Sequence, residues 1–430
     1  MQKNRWLILT FITILLIFLN ADQMVMSPNI GQIEKEFNID DSKIGLVAST
    51  FTILGAVISL IWGYLSDKYN RKLLLIFSIF IGEIPCFMSA FSKSYSELFF
   101  WRTLTGIGVG ASFPIVFSLI GDMFSHKERG KVMAFLTLSI GLGNILGMTI
   151  GGFLGESFGW RLPFILVSVP NFFFALLSVF ILKEPKRGAS EEGFINSNKE
   201  FVKKISIKDY LKLFKIKTNL LLFLQGIAGT IPWGAIPYFL VEFFKRERGL
   251  SASKATLVFL IFGLGSILGN LIGGFVGEFL YNKNKKLVPI TSSITTFIGV
   301  VLTLLTFSFK NIYTNSGFLV LLILGFSAAI FDSFTGPNVK MMLLNVNEPQ
   351  DRGRIFSIFN LTDSLGTGIG KYFGGLMSVV FGSLAISMNL STYFWIICGF
   401  ILFLAYFTFE KDVFTLNNKM KKLSRLLNIN

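Results

Sequence analysis

The stretch GLGNILGMTIGGFLGE, from Gly141 to Glu156, recurs almost unchanged as GLGSILGNLIGGFVGE, from Gly263 to Glu278. A third version, LGTGIGKYFGG, covers Leu365–Gly375. Glycines four residues apart let two helix backbones approach closely, which is a main source of helix association in lipid. Packing alone would explain the glycines but not their duplication, so the pattern predicts two related halves. The predicted packing positions are Gly143, Gly147, Gly151, Gly265, Gly269, Gly273, Gly366, Gly370 and Gly374.

The composition indicates a membrane protein with many spans. Of its 430 residues, 52% are hydrophobic and only 15% are charged, whereas soluble domains carry about 25% charged residues. The apolar runs have about the 20 residues needed to cross a hydrocarbon core. A large soluble core is excluded, because soluble helices carry a polar face. The net charge of +15 is concentrated in alternate loops, which indicates cytoplasmic loops and not nucleic-acid binding.

The apolar runs predict an all-α membrane protein with twelve transmembrane helices in two pseudo-symmetric six-helix bundles. The bundles comprise residues 1–183 and 218–410, joined by a cytoplasmic linker, 184–217, and followed by a basic cytoplasmic tail, 411–430. Ile207, Tyr210, Leu211 and Phe214 in the linker have helical spacing between lysines, typical of a helix on an anionic leaflet. The predicted spans are about 6–28, 43–66, 73–93, 96–123, 131–155, 161–183, 218–244, 253–280, 287–308, 316–341, 354–380 and 388–409.

The loop after the second predicted helix, GYLSDKYNRK (Gly63–Lys72), resembles the signature of the major facilitator superfamily. Members of that superfamily have two six-helix bundles and use this loop as a conformational latch. The resemblance implies a latch role for Gly63, Asp67, Lys68, Arg71 and Lys72, with Gly63 allowing close helix contact. The duplicated motifs ERGK and DRGR add Arg129 and Arg352. A plain basic cytoplasmic loop is the alternative.

Longer stretches resemble the Spinster-like branch of that superfamily. They are LNADQMVMSPNIGQIEKEFNI (Leu19–Ile39), KEPKRG (Lys183–Gly188), GTIPWGAIPYFL (Gly229–Leu240) and FNLTDSLGTGIG (Phe359–Gly370). The resemblance implies lysophospholipid or sphingoid-lipid transport, with proton coupling in some members. Two positions depart from the branch: Val109 replaces an acidic residue, and Gln23 replaces a basic one.

Ionisable residues within the predicted spans are the candidate cavity groups, because each costs at least ~2.5–3.5 kcal/mol on insertion. In the first half they are Asp22, Glu83 and Arg102. At a rise of 1.5 Å per residue, Asp22 and Arg102 lie roughly 24 and 20 Å from the inner surface, which predicts an ion pair. Glu83 has no basic partner, so we expect it to carry a proton at rest. A purely structural salt bridge is the alternative reading of the pair.

In the second half, Asp363, Thr367 and Lys371 repeat every four residues and are predicted to line one side of a helix. Asp332 lies at a depth comparable with Asp363. The alternatives are a structural salt bridge and a lysine that snorkels to the interface. Trp233, between Pro232 and Pro237, lies in a helix that can bend and gate a cavity; aromatic packing is its alternative role.

These features predict a secondary active transporter that works by alternating access and is proton-coupled. Its expected cargo is a small or amphipathic, lysophospholipid-like solute; a drug, a sugar or an organic anion is the alternative. An enzyme is disfavoured because no nucleophile–base or metal-ligand cluster is present, and no metal or cofactor is expected. A transport-dead sensor or scaffold is the other class. We expect a monomer in the cell membrane with cytoplasmic termini, in contact with membrane lipids and without nucleic-acid partners.

Overall fold

The computed structural model describes residues 5–124, 126–185, 211–348 and 351–426. Within these ranges the chain forms helices and connecting turns and contains no β-strand. Ten helical segments there are long and apolar enough to cross a membrane. Of the residues that mark the predicted linker helix, Ile207 and Tyr210 lie outside the described residues, while Leu211 lies in a helical turn and Phe214 in the turn that follows it.

The chain forms two compact units, which are described separately. Unit 1 comprises Met1–Lys204 and Tyr238–Leu257, and unit 2 comprises Ile205–Pro237 and Val258–Asn430. The division falls inside two long helices, after Pro237 and after Leu257, so it differs from the predicted halves in the segment Tyr238–Leu257. The assignment of residues to two sequence-related halves remains a prediction.

Within the described residues, unit 1 is built on nine α-helices, the end of a tenth and the first residues of an eleventh. They are α1 (Arg5–Ala21), α2 (Ile30–Phe37), α3 (Asp41–Lys68), α4 (Arg71–Ser89), α5 (Tyr95–Val109), α6 (Ser112–Gly121), α7 (His126–Thr149), α8 (Gly155–Phe158) and α9 (Arg161–Ile181). Three begin at side-chain caps, because Asp40, Asn70 and Ser94 accept hydrogen bonds from backbone N–H groups that lack helical partners. The helix α10 (Lys217–Arg246) is shared between the units.

Within the described residues, unit 2 contains the first part of α10 and seven further α-helices, the first of which begins in unit 1. They are α11 (Ala252–Lys283), α12 (Leu287–Ser308), α13 (Asn315–Ser333), α14 (Thr335–Val346), α15 (Arg352–Phe381), α16 (Leu384–Ala405) and α17 (Phe409–Leu426). The last helix is fixed to the start of α10. Asp412 Oδ2 accepts hydrogen bonds from the backbone N–H and the hydroxyl of Thr218, at 2.9 and 2.7 Å. The beginning of the basic tail therefore packs on unit 2.

Several predicted spans are interrupted. The predicted fourth span is divided into α5 and α6 near Gly110, and the predicted tenth into α13 and α14 at Phe334. The predicted first span ends early, at Ala21, so its helix has 17 residues. This short helix and α15, which carries charged residues along its length, are not among the ten apolar spans. Both helices are nevertheless present where the sequence predicts them.

The three glycine repeats pack against three different helices. A Cβ atom at Gly147 of α7 would overlap the carbonyl of Ala21, at the end of α1. A Cβ at Gly269 of α11 would overlap the carbonyl of Ile330, and one at Gly370 of α15 would overlap a carbonyl of α10. Only glycine permits such close backbone contact.

The outer surface is strongly apolar. Phe180 is 81% exposed and Phe275 is 75% exposed. Soluble monomers rarely present contiguous apolar surface of this kind. Lipid chains cover such side chains in a membrane, in agreement with the ten apolar spans.

Candidate functional site

The end of α1 places Asp22 at the centre of a buried polar site in unit 1. The helix ends at Ala21, and residues 22–26 form turns before a short 3₁₀ helix, Ser27–Asn29. The sequence predicted a continuous helix here, so this part of the prediction is wrong. A break frees carbonyl groups from the helical hydrogen-bond pattern, and in a membrane such groups need other partners.

Arg102 supplies that partner and also neutralises the Asp22 side chain. Its Nη1 forms an ion pair with Asp22 Oδ1, and its Nη2 donates to the Asp22 carbonyl at 3.0 Å. Asp22 is 0% exposed and Arg102 is 3% exposed. The rings of Phe51 and Phe164 lie 4.7 and 5.3 Å from the guanidinium carbon, positions suited to cation–π attraction. The residues predicted to pair from depth alone are thus in direct contact.

Two groups on α4 complete this polar site. The Cys86 thiol donates a hydrogen bond to Asp22 Oδ1 at 3.0 Å. Glu83, one helical turn earlier, is 0% exposed, and neither of its oxygens accepts a hydrogen bond of standard geometry. The charged groups that act on Glu83 are Asp22 and Arg102. The site therefore has two acids and one base, and its charge balances when one acid holds a proton.

A second ion cluster in unit 1, the Arg246 cluster, comprises Glu34, Asp41, Glu242, Lys245 and Arg246. Arg246 Nη1 lies 2.8 Å from Asp41 Oδ2 and its Nε 3.3 Å from Glu242 Oε1, while its Nη2 donates a hydrogen bond to Glu34 Oε2. Lys245 Nζ lies 3.4 Å from Glu242 Oε2. Burial, together with neighbouring Asp41, raises the pKa of Glu34 to about 9. This cluster accounts for part of the basic segment Lys245–Gly249.

Unit 2 contains a cavity of about 190 Å³, referred to below as the unit-2 cavity. Its lining includes Gln225, Trp233, Asp332, Lys340, Asp363 and Trp395. Thr303 donates a hydrogen bond to Asp332 Oδ2 at 2.9 Å, while Oδ1 of Asp332 and Oδ1 of Asp363 receive none within the described ranges. Lys340 is the charged residue that acts on Asp363.

Two predicted cavity residues lie elsewhere. Thr367 and Lys371 are not part of the cavity lining. The Thr367 hydroxyl donates a hydrogen bond to the backbone carbonyl of Asp363, at 2.8 Å. Lys371 is buried, eight residues beyond Asp363 on α15 and thus ~12 Å along the helix. Lys340, which was not among the predicted cavity residues, is the lysine of the cavity lining.

The aromatic residues of the unit-2 cavity pack edge to face. The rings of Trp233 and Trp395 have centroids 5.7 Å apart and planes at 68°. Trp395 donates its indole N–H to the Gly229 carbonyl at 2.8 Å, which fixes the orientation of its ring. The apolar ring faces near the two carboxylates suit a solute with both apolar and polar parts.

In the predicted latch loop, Arg71 makes the largest set of contacts. It is 1% exposed, its Nε lies 2.7 Å from Glu184 Oε1, and its Nη1 pairs with Asp122. Asn70 caps α4, and Lys72 Nζ donates to the Val179 carbonyl at 2.6 Å.

The other predicted latch residues differ in their surroundings. Lys68 donates to the Tyr64 hydroxyl, and Asp67 is exposed at the end of α3. A Cβ at Gly63 would lie 3.9 Å from Pro114, an ordinary contact, whereas Gly55 meets the Gly106 carbonyl closely. The side chains of Arg129 and Arg352 lie outside the described residues.

Sequence reasoning missed Cys86, Lys340, Trp395, Asp122 and Glu184 as site residues. The two acids around Arg71 lie near span ends, where carboxylates are common and carry no distinctive pattern. Cys86 lies in an apolar run, which is the usual place for a core thiol. Its spacing of three residues from Glu83 was the available indication, because residues three apart share a helix face.

The family model of the Major Facilitator Superfamily matches residues 10–228 and 218–423. The chain belongs to the major facilitator superfamily. Members of that superfamily are transporters and not enzymes, and the ten apolar spans of the described residues agree with a multi-pass membrane protein. Its all-helical architecture agrees with the predicted fold class.

Among the relatives, the sequence is 24% identical to Protein spinster of Drosophila melanogaster, over 73% of this chain and 52% of that protein. It is 25% identical to Sphingosine-1-phosphate transporter SPNS2 of Danio rerio, over 64% and 57%. It is 28% identical to Multidrug resistance protein 1 of Bacillus subtilis, over 50% and 54%. The chain thus spans little more than half the length of these relatives.

Among solved structures, the fold is similar to that of a bacterial homologue of the human lysosomal transporter Spinster, solved in an inward-facing, unoccupied conformation. The TM-score is 0.84 at 19% identity, with 96% of this chain and 99% of that chain covered. This similarity supports the fold, and the resemblance to Spinster proteins read from the sequence motifs is confirmed.

Proposed function

We propose that this protein is a proton-coupled secondary active transporter that moves a small or amphipathic, lysophospholipid-like solute by alternating access. The proposal includes two six-helix halves, residues 1–183 and 218–410, joined by the linker 184–217. It also places the protein in the cell membrane as a monomer, with cytoplasmic termini.

The observation that carries proton coupling is the excess of acid in the buried site of unit 1. Arg102 can balance one carboxylate, while Asp22 and Glu83 are both 0% exposed. A buried charge without a partner costs several kcal/mol. One proton shared between the two acids removes this cost, and its position decides which acid remains ionised beside Arg102.

Transfer of that proton gives the site two states of equal net charge. In one state Asp22 is ionised, pairs with Arg102 and accepts the Cys86 hydrogen bond. In the other, Asp22 is neutral and Glu83 is ionised. Release of the proton gives a third state, in which both acids are ionised beside one base, and a conformational change that stabilises or destabilises this state releases or takes up a proton by linkage. Proton movement is thereby coupled to the transport cycle.

The solute class is supported by the names of the relatives and by the cavity lining. The similarity to Protein spinster and to a sphingosine-1-phosphate transporter favours a lipid-like solute, and the aromatic rings of the unit-2 cavity suit an apolar body. The similarity to a multidrug resistance protein keeps a drug as the alternative. Sugar and organic-anion cargo are the other members of that alternative.

The test is solute-dependent proton flux in proteoliposomes that contain a pH-sensitive dye. Lysophosphatidylcholine, a fluoroquinolone, a hexuronate and an alkylamine are supplied separately, with and without a proton gradient. Asp22→Asn and Glu83→Gln should each abolish gradient-driven uptake while leaving part of the solute exchange. Glu97→Gln, an exposed carboxylate on α5, is the matched control and should resemble the unmodified protein.

Three results would count against the proposal. Gradient-driven uptake that survives both substitutions would remove proton coupling from this site. Transport that is equally fast without a proton gradient would remove coupling altogether. An absence of flux for every solute would favour the sensor or scaffold class.

A further inference from the structure

The lining of the unit-2 cavity contains more acidic than basic residues. Two carboxylates, Asp332 and Asp363, face the cavity with a single lysine, Lys340. The Lys340 side chain is exposed, whereas Asp332 is only 7% exposed. When both acids are ionised, the lining carries one negative charge in excess, at the buried end of the cavity.

Asp332 is held in position without a positive partner among the residues of the lining. Its Oδ2 accepts a hydrogen bond from Thr303 at 2.9 Å, and its Oδ1 receives none within the described ranges. A Cβ atom at Gly299 would overlap that free oxygen, so glycine makes the space in which the carboxylate sits. A glycine also makes space for Asp363, because a Cβ atom at Gly226 would lie 2.8 Å from Asp363 Oδ1.

The aromatic side chains add a second feature that suits a positive group. Trp233 and Trp395 line the cavity with their rings edge to face, and the Trp395 N–H is already bonded to Gly229. Trp233 also packs against Phe262, with ring centroids 5.8 Å apart, so the parts of the two indoles that line the cavity are the surfaces offered to a solute. Indole faces attract cations through the ring quadrupole and also pack against apolar groups.

We propose that the unit-2 cavity binds the positive end of an amphipathic solute, namely a protonated amine or a quaternary ammonium group joined to an apolar body. Asp332 is the main counterion, Asp363 is the second acid, and the two tryptophans contact the cation and the adjoining apolar part. This inference rests on the proposed function and specifies its solute class. It disfavours sugars and simple organic anions as cargo.

The test is equilibrium binding to the purified full chain in a neutral detergent, measured by calorimetry without any proton gradient. Three probes of similar shape are compared: 3-phenylpropylamine, 3-phenylpropanol and 3-phenylpropanoate. The amine should bind at least about tenfold more tightly than the other two, equivalent to about 1.4 kcal/mol. Tighter binding of the carboxylate, or no binding of the amine, would overturn the proposal.

Variants locate the binding. Asp332→Asn and, separately, Asp363→Asn should each weaken amine binding, by about tenfold for Asp332, without changing the weak binding of the alcohol. Lys340→Met should strengthen amine binding, by about threefold for an exposed charge, an effect that a structural role would not produce. Glu410→Gln, an exposed acid paired with Lys286, is the control. Unchanged amine binding in Asp332→Asn would show that Asp332 holds only a proton.

Competition distinguishes a simple amine from a lipid headgroup as the source of the positive group. Displacement of the amine by dodecyltrimethylammonium or by lysophosphatidylcholine supports the assignment in either case. Displacement by lysophosphatidic acid alone would overturn it. Because binding is measured without transport, a failure of proton coupling leaves this result unaffected, and a failure here leaves the coupling test intact.

Discussion

Replacing Arg102 by methionine should destabilise the protein much more than replacing Asp22 by asparagine. If the ion pair were isolated, either substitution would lower the free energy of unfolding by a similar amount, because each would leave one buried charge without a partner. Here the pair has a third member, Glu83, which is 0% exposed and is acted on by both other groups. When Asp22 is neutralised, Glu83 can ionise and balance Arg102; when Arg102 is removed, no other base replaces it in this site.

The magnitudes follow from the contacts. Asp22→Asn weakens one charge-assisted hydrogen bond, worth about 1.5–3 kcal/mol, and keeps the hydrogen bond from Nη2 to the carbonyl of residue 22. Arg102→Met breaks a buried pair, which costs about 3–5 kcal/mol, and removes the guanidinium from the rings of Phe51 and Phe164. The expected difference between the two variants is therefore roughly 2 kcal/mol by these values.

The assay is reversible unfolding in mixed micelles, measured as the free energy of unfolding for both single variants and for Asp22→Asn with Glu83→Gln. The double variant leaves Arg102 without any acid in this site, so it should lose more than the sum of the single losses. Arg102→Lys is the control for charge without the planar guanidinium. Equal losses for Asp22→Asn and Arg102→Met, together with an additive double variant, would refute the three-member description.

Three further outcomes are expected. The folded protein favours neutral Glu34, whose pKa is about 9. Glu34 therefore contributes its full stabilisation below about pH 4.5, and this stabilisation is lost as the pH rises towards 9. Glu34→Gln should reduce the fall in melting temperature over this pH range, and an unchanged fall would contradict the assignment. Gly147→Ala should lower the free energy of unfolding by about 1–3 kcal/mol through overpacking, and it should reduce proton-driven flux because it displaces the chain next to Asp22. Gly141→Ala is the control and should have neither effect, because no atom lies within 4 Å of a Cβ at that position. Arg71→Ala should cost about 1.5–3 kcal/mol in unfolding experiments, and Glu184→Gln should cost less because Asp122 remains; the reverse order would exclude Arg71 as the centre of these contacts.

The Asp22–Arg102 contact could be predicted from the sequence because the rise per residue of a helix converts residue number into depth in the membrane. Two opposite charges at one depth, in spans that exclude water, are stabilised by forming an ion pair. The break after Ala21 could not be predicted in the same way. The polar residues Asn20, Asp22 and Gln23 surround it, but the turn is stabilised by Arg102 and by close contact with Gly147, both distant in sequence.

The second half was harder to predict because regular spacing on one helix does not show which residues of other helices lie nearby. Asp363 and Lys371 share a helix face, but eight residues separate them by ~12 Å. The lysine near Asp363 comes instead from another helix, α14. The Arg246 cluster had the same difficulty, since its acids come from α2, α3 and α10 and no single segment displays the pattern.

The double attachment of Arg102 to residue 22 has a consequence for how charge moves through unit 1. One nitrogen contacts the carboxylate, but another is tethered to the backbone oxygen, which cannot be protonated at any physiological pH. Neutralising the side chain therefore does not release the arginine. The guanidinium stays anchored at the backbone, so a switch of the ionised acid does not require the departure of a buried cation.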